Sequence, residues 1–344
     1  MDVIGKILKD QWKLFQLTND NGMIVEILNY GGIITKIAVP DKNGTVENVV
    51  LGYKNYEDYS VDSNFFGAIV GRVAGRIEGA SFELDGNTYT LEANEGENHL
   101  HSGESGFHKV VWDAEAFHVD DKVGVKLQHT SPDGEGGYPG NITASVTYTL
   151  TNDNQLAIDY NAATDKTTPL TLTNHTYFNL SGNLKDTVHR HTVKMDSNHF
   201  LELDSSLIPT GRVEDVTGTT FDFREGRKLE AGINSDSQQN TIVGNGYDHY
   251  FILDGKSNIA VEEETSGRVL TIETDQPGLV MYSSTNLTKG VELAEGPSKK
   301  YLGVCFETQA PPSSLNHEDL ASVILKADEV YRKKTVFTFQ TLDK

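Results

Sequence analysis

Cysteine is all but missing, with Cys305 alone in 344 residues. A single thiol excludes an internal disulfide and fits a reducing compartment. Positive charge is scarce as well: 29 Lys and Arg face 50 Asp and Glu, for a formal net charge of -21. So acidic a chain lacks the basic footprint that a phosphate backbone or an anionic lipid surface needs, which sets nucleic acid and membrane docking aside. Apolar runs fall short of the ~18 residues of a spanning helix, and Met1 to Asp10 carries no apolar signal-peptide stretch. Helical candidates are few and short, Asn55 to Tyr59 and Lys228 to Ile233, and neither sustains a helical apolar period. What these absences leave is a soluble, cytoplasmic, all-β protein.

Period-two patterns are abundant. Ile142 to Leu150 alternates without a break, a turn follows at Thr151 to Asn154, and Leu156, Ile158 and Tyr160 then share a face. That reads as a β-hairpin with a four-residue connection. Further strands are expected at Ile24 to Val39, Phe82 to Leu91, Val123 to His129, Val269 to Thr274 and Thr335 to Thr341. The 32 glycines, often in pairs such as Asn43-Gly44 and Asp85-Gly86, punctuate them as turns do. Length alone suggests two domains, but no linker, repeat or compositional break divides the chain. The expectation is therefore one domain over residues 1–344, a large, mostly antiparallel β-sandwich.

Several segments carry chemistry. If Thr171 to Leu180 is a strand, one face holds Thr171, Thr173, His175, Tyr177 and Asn179, and the other, mostly core-facing, holds Leu172, Asn174, Thr176, Phe178 and Leu180. A lone histidine there is ordinarily a satisfied, half-buried residue; this one has company. Gly71 to Ile77 is a glycine-punctuated loop with Arg72 and Arg76. It matches no phosphate-binding pattern, and reads as a turn with solvent-facing arginines or as a clamp for hydroxyls or a carboxylate. His99, His101 and Glu104 have the look of a metal cluster, yet no downstream histidine segment completes it. Asp248 and His249 precede an apolar strand, where the aspartate either caps a turn or accepts hydrogen bonds from hydroxyls. Asp275 to Gly278 is a turn that explains all but Gln276. In Gly303 to Gln309, Val304, Phe306 and Thr308 face the core, and Glu307 is an acid in an otherwise uncharged strand. Such an acid is exposed, paired or functional. Cys305 beside it reads as a small packing residue, since nothing near in sequence lowers its pKa.

Together these segments resemble the aldose 1-epimerases, the galactose mutarotase family. The matches are Gly71 to Ile77, Asn98-x-Leu100-His101-x-Gly103, Asp133 to Gly140, Asn174-His175-x-Tyr177-Phe178-Asn179-Leu180, Tyr247-Asp248-His249, Thr274 to Gly278, and Phe306-Glu307-Thr308-Gln309, in the family's order. The resemblance implies a large antiparallel sandwich with Glu307 as general base, His175 as general acid and His101 as a second active-site histidine. It makes Arg76, Asp248, Gln276 and Tyr177 sugar contacts. Gly75 departs from the asparagine that many members carry before the arginine, which bears on substrate preference. The implied substrate is a small-molecule aldose such as galactose or glucose, handled by a monomer or homodimer with no metal or cofactor. Reference pKa values of roughly 4.3 and 6.5 leave a window with Glu307 ionised and His175 protonated. Three rivals remain at this point: a glycosidase using Asp248 and Glu307, a non-catalytic sugar-binding module, and a phosphosugar epimerase with a basic phosphate pocket.

Overall fold

The computed structural model describes residues 1–255 and 258–342. Strands dominate, and among the described residues the sheets pair antiparallel, with a single parallel bridge between Val73 and Thr171. A nine-stranded sheet takes, in order, Asp113–Val119, Lys122–Ser131, Ile142–Thr151, Gln155–Thr164, Val330–Thr341, Arg268–Thr274, Asn258–Glu263, Thr192–Met195 and Arg227–Lys228. A six-stranded sheet runs Tyr177–Phe178, Val304–Gln309, Gly278–Tyr282, Asp248–Ile252, His199–Leu203 and Pro209–Asp215. The N-terminal residues form a five-stranded meander from Asp2–Lys9 to Val46–Asn48.

The alternation expected of Ile142 to Leu150 is the burial pattern of its strand, whose even-numbered residues fill the core. Thr151 pairs with Lys122 and so belongs to the strand, which leaves a shorter connection than the expected four residues, with Asn154 at φ 57°. The stretch Ile24 to Val39 breaks at Asn29 to Gly32 into Ile24–Leu28 and Ile33–Pro40, and Phe82 to Leu91 is a hairpin turned at Asp85-Gly86. The first helical candidate is a six-residue 3₁₀ segment at Tyr56–Val61, and the second shrinks to one α-turn at Glu230–Ile233.

Between the sheets lies one apolar layer. Phe178 and Phe306 from the six-stranded sheet meet Phe337 and Phe339 from the nine-stranded one, with Phe178 centred 5.2 Å from Phe337. A buried ion pair ties the meander to the large sheet: Arg268 Nη2 donates to Glu47 Oε2 at 3.0 Å while its other donors reach the carbonyls of Val39, Leu180 and Thr45.

The segment Thr171 to Leu180 is not the continuous strand its alternation suggests. Thr173–Asn174 pairs with Ile69–Val70, and Tyr177–Phe178 with Val304–Cys305, so the chain changes partner around His175. The alternation survives in part: Leu172, Phe178 and Leu180 enter the core, while Asn174 and Thr176 bond to each other. At the crossover the backbone of His175 is held twice, its N–H donating to the Ala68 carbonyl at 2.9 Å and its carbonyl accepting from Gly67 N–H at 3.0 Å. Residue 67 must be glycine there, since φ is +66° and a Cβ would sit 2.1 Å from the Ile34 carbonyl oxygen.

Replacing Phe178 by alanine empties the middle of this aromatic layer. We expect a loss of about 3–5 kcal/mol in unfolding free energy by urea titration. A loss under about 1 kcal/mol would show that the layer does not carry the fold.

Candidate active site

The cleft opens beside the six-stranded sheet and encloses about 190 Å³, lined by Phe65, Gly75, Arg76, Glu95, His101, His175, Tyr177, Asp248, Tyr282, Glu307 and Pro312 among others. Of the seven site residues expected from sequence, six line it. Gln276 does not. Its amide donates to the Leu172 carbonyl at 3.3 Å and the Tyr331 hydroxyl at 3.1 Å, so the turn that carries it faces a separate cavity with Leu170 and Val323.

Glu307 and His175 form the centre. Glu307 is 3% and His175 4% exposed, and Glu307 Oε1 lies 3.4 Å from His175 Nε2. Burial holds the Glu307 carboxyl well above the usual range, helped by the neighbouring charge of Asp248 and opposed by Arg76. Burial likewise pushes His175 down to about 4. The free site therefore departs from the window that reference values suggest: burial favours the neutral carboxyl and the neutral imidazole over their charged forms. The neutral form of the pair and the carboxylate–imidazolium form share one proton and the same net charge of zero, so their titration belongs to the pair.

His101 is a different kind of histidine. Its Nδ1 accepts the Gly75 N–H at 3.0 Å, which fixes the neutral ring with its proton on Nε2. Protonating Nδ1 would set two N–H groups against each other, and burial plus the nearby His175 and Arg76 also hold its pKa well down. Phe65, at φ 58°, packs on both rings, with centroids 4.7 Å from His101 and 5.7 Å from His175.

A second charged group faces the pair. Arg76 grips Glu95 with two donors, Nε at 2.6 Å and Nη2 at 2.8 Å, and its Nη1 lies 3.7 Å from Asp248 Oδ2. Burial raises Asp248 to about 6 against the lowering pull of Arg76. Tyr177 offers the cleft its ring, since its hydroxyl already donates to the Asn64 carbonyl at 2.8 Å. Arg72, expected on the surface in one reading, is buried and bonded to Ser131, Pro132 and Pro139. Of the Asp133 to Gly140 motif, Pro139 contributes one of these acceptors, and Asp133 Oδ1 closes the loop by accepting Gly140 N–H at 2.6 Å.

His99 and Glu104 turn away from His101, toward the Glu92 carbonyl and Lys109 respectively, which dissolves the cluster considered from sequence. The one group with metal-ligand spacing among the described residues is His101, His175 and Glu307, whose donor atoms lie within 4.8 Å of one another. Two imidazoles and a carboxylate are a zinc-type set, but His101 has no free lone pair to offer, with Nδ1 taken by the Gly75 N–H and the proton on Nε2. A metal ion there would engage the lone pairs that Glu307 and His175 present to each other, so it competes with proton transfer rather than adding to it.

The sequence pattern of the aldose 1-epimerase family matches residues 13–338. The chain belongs to the aldose 1-epimerase family. It is similar to the galactose mutarotase of Sus scrofa, 40% identical over 332 residues that cover 94% of this chain and 93% of the relative. The aldose 1-epimerase of Escherichia coli is 33% identical over 335 residues, 95% of each chain. Among solved structures, the galactose 1-epimerase of Lactobacillus acidophilus superposes with a TM-score of 0.87 at 32% identity, covering 99% of both chains. An aldose epimerase homologue from C. elegans gives 0.88 at 30% identity, covering 96% of this chain and 99% of that one.

Within this aldose 1-epimerase fold, Glu95, Phe65, Tyr282 and Pro312 line the cleft without a sequence signal to single them out. Glu95 sits in an acidic stretch that reads as solvated surface, and only the fold brings it to Arg76. Gly75, at φ +88°, leaves room that Pro312 has taken, for a Cβ at 75 would lie 3.0 Å from Pro312 Cβ. An asparagine at this position would be strained at that φ and would need the proline to give slightly.

The Gly75 contact gives a direct expectation. Nitrogen-15 NMR of His101 should show Nε2 protonated and Nδ1 bare from roughly pH 5 to 9, the range where a free histidine changes charge. An imidazolium anywhere in that range would show that the backbone donor does not lock the ring.

Proposed function

We propose that this protein is an isomerase that interconverts the α and β anomers of hexoses such as galactose and glucose. The observation that carries the reading is a buried carboxyl and imidazole 3.4 Å apart, both lining one polar cleft large enough for a single sugar ring.

The chemistry follows from what the pair can exchange. With Glu307 as carboxylate and His175 as imidazolium, Glu307 takes the proton from the C1 hydroxyl. The C1–O5 bond breaks, and His175 Nε2 delivers its proton to O5. The product is the open-chain aldehyde, and the pair is left as a carboxylic acid and a neutral imidazole. After rotation about C1–C2, O5 attacks the other face of the carbonyl, His175 recovers the proton from O5, and Glu307 returns its own to O1. Both forms of the pair are neutral overall, so a buried site is not asked to take up net charge at any step. Burial shifts the balance of the pair from the ionic form toward the neutral one. His101, locked with Nε2–H toward the cleft, is a fixed hydrogen-bond donor. Arg76 and Asp248 recognise hydroxyls, with Glu95 holding the guanidinium in place.

The rivals lose ground on geometry. Asp248 lies beside Arg76 rather than free to act with Glu307, and a glycosidase leaves both histidines without work. Among the described residues lining the cleft, Arg76 is the one Lys or Arg, and two carboxylates already face it, so a phosphosugar has no evident anchor. No helix among the described residues is long and apolar enough to cross a membrane. The same reading makes the chain one functional unit of cytoplasmic hexose metabolism, acting as a monomer or homodimer.

Polarimetry on freshly dissolved α-galactose and α-glucose tests the activity, and a purified protein that leaves both at the spontaneous rate overturns it. Glu307→Gln and His175→Asn should each lower kcat by roughly 10²–10⁴ with the sugar still bound, and the double variant by much less than the product. A folded Glu307→Gln enzyme near full activity would make Glu307 an ordinary sugar contact.

The pH profile separates the roles. Asp248 protonates as pH falls through about 6, removing a charged acceptor from the free enzyme, so kcat/KM should drop below that point. The pair of the free enzyme takes its second proton only toward about 4, so its limb in kcat/KM should lie below that of Asp248. Asp248→Asn should have a raised KM and lose the limb near 6; an unchanged limb would assign it to another group.

A further inference from the structure

His175 has a second nitrogen, and what it meets is unusual for a histidine that trades protons. Nδ1 lies 3.6 Å from the sulfur of Cys305, which is fully buried one residue pair away on the strand that also carries Glu307. The register fixes this meeting: Tyr177 pairs with Cys305, and Cys305 in turn pairs with Tyr282 on its other side. Rings of Phe65, His101, Tyr177 and Tyr282 surround the imidazole, so water has little access to Nδ1.

The proton chemistry states what Nδ1 must do. When His175 gives the Nε2 proton to O5, the neutral ring keeps its other proton on Nδ1. Nε2 must then stay bare to take the proton back on closure. The ring therefore needs an acceptor at Nδ1 in both charge states. Thiol sulfur is a weak acceptor. Burial, with Glu307 and Asp248 nearby, keeps Cys305 a neutral thiol by raising its pKa well above the ordinary value.

We propose that Cys305 is a positioning residue that accepts a hydrogen bond from His175 Nδ1–H and so holds the neutral ring with Nε2 bare. A carboxylate in that place would hold the ring as imidazolium and resist proton release; a backbone N–H would impose the opposite tautomer, as Gly75 does on His101. An uncharged sulfur does neither. The two histidines of the cleft are thus set in opposite tautomers by their Nδ1 partners, one to exchange protons and one to donate a fixed hydrogen bond. This rests on the acid role proposed for His175.

Nitrogen-15 NMR of the wild-type protein is the first test and needs no variant: neutral His175 should carry its proton on Nδ1, and a ring protonated on Nε2 overturns the proposal. Cys305→Ala removes the acceptor and should shift His175 toward the Nε2–H form. Its kcat should fall at least about tenfold with KM within about twofold, short of the ~10⁴ lost when a carboxylate that fixes a histidine's tautomer is neutralised. Cys305→Ser keeps a neutral acceptor and should stay within about threefold of wild type. A folded Cys305→Ala protein with wild-type kcat and tautomer shows that the thiol only packs. If His175→Asn also remains active, the acid role itself falls; if it is inactive, only the positioning claim does.

Discussion

A carboxylate or an imidazolium buried alone costs several kcal/mol, and the centre of this protein escapes that cost by burying both with one proton between them. The 3.4 Å separation of Glu307 and His175 depends on where the fold places two strands. Val304–Gln309 supplies Glu307 and Cys305, and the crossover around His175 pairs with the same strand two residues later. Phe65 and the Tyr177 and Tyr282 rings keep the surroundings apolar, which weakens every isolated charge and strengthens every hydrogen bond that remains.

Recognition is built from a second, separate constraint. Arg76 arrives in the cleft already gripped by Glu95, so its guanidinium is oriented before any ligand enters. Asp248 lies beside it with a pKa raised by burial, against the lowering pull of Arg76 3.7 Å away. On the proposed reading, proton transfer and hydroxyl recognition thus fall to different strands and loops. Changes in sugar preference can then arise at Gly75 and Pro312 without disturbing the pair.

Much of this was legible from residues alone. Alternation revealed Ile142–Thr151 because one face of that strand is buried, and an uncharged strand containing Glu307, which proves to be buried on both faces, advertised an acid needing a reason to be there. The resemblance then put Glu307, His175, His101, Arg76, Asp248 and Tyr177 together, and the fold gathers all six. Gln276 failed because a turn residue's reach is set by the elements packed against it, and Leu172 and Tyr331 claimed its amide first. Glu95 and Phe65 escaped notice because their place in the cleft depends on contacts far along the chain. The pKa order of the central pair was equally invisible: reference values describe groups in water, and burial is a property of the fold.

The account is tested most directly by the crystal structure of Glu307→Gln soaked with galactose. It predicts the amide of residue 307 about 3 Å from O1, His175 Nε2 about 3 Å from the ring oxygen, and Arg76 and Asp248 on hydroxyls remote from C1. A sugar seated in the cleft with C1 turned away from residue 307, or with His175 out of reach of the ring oxygen, would contradict it.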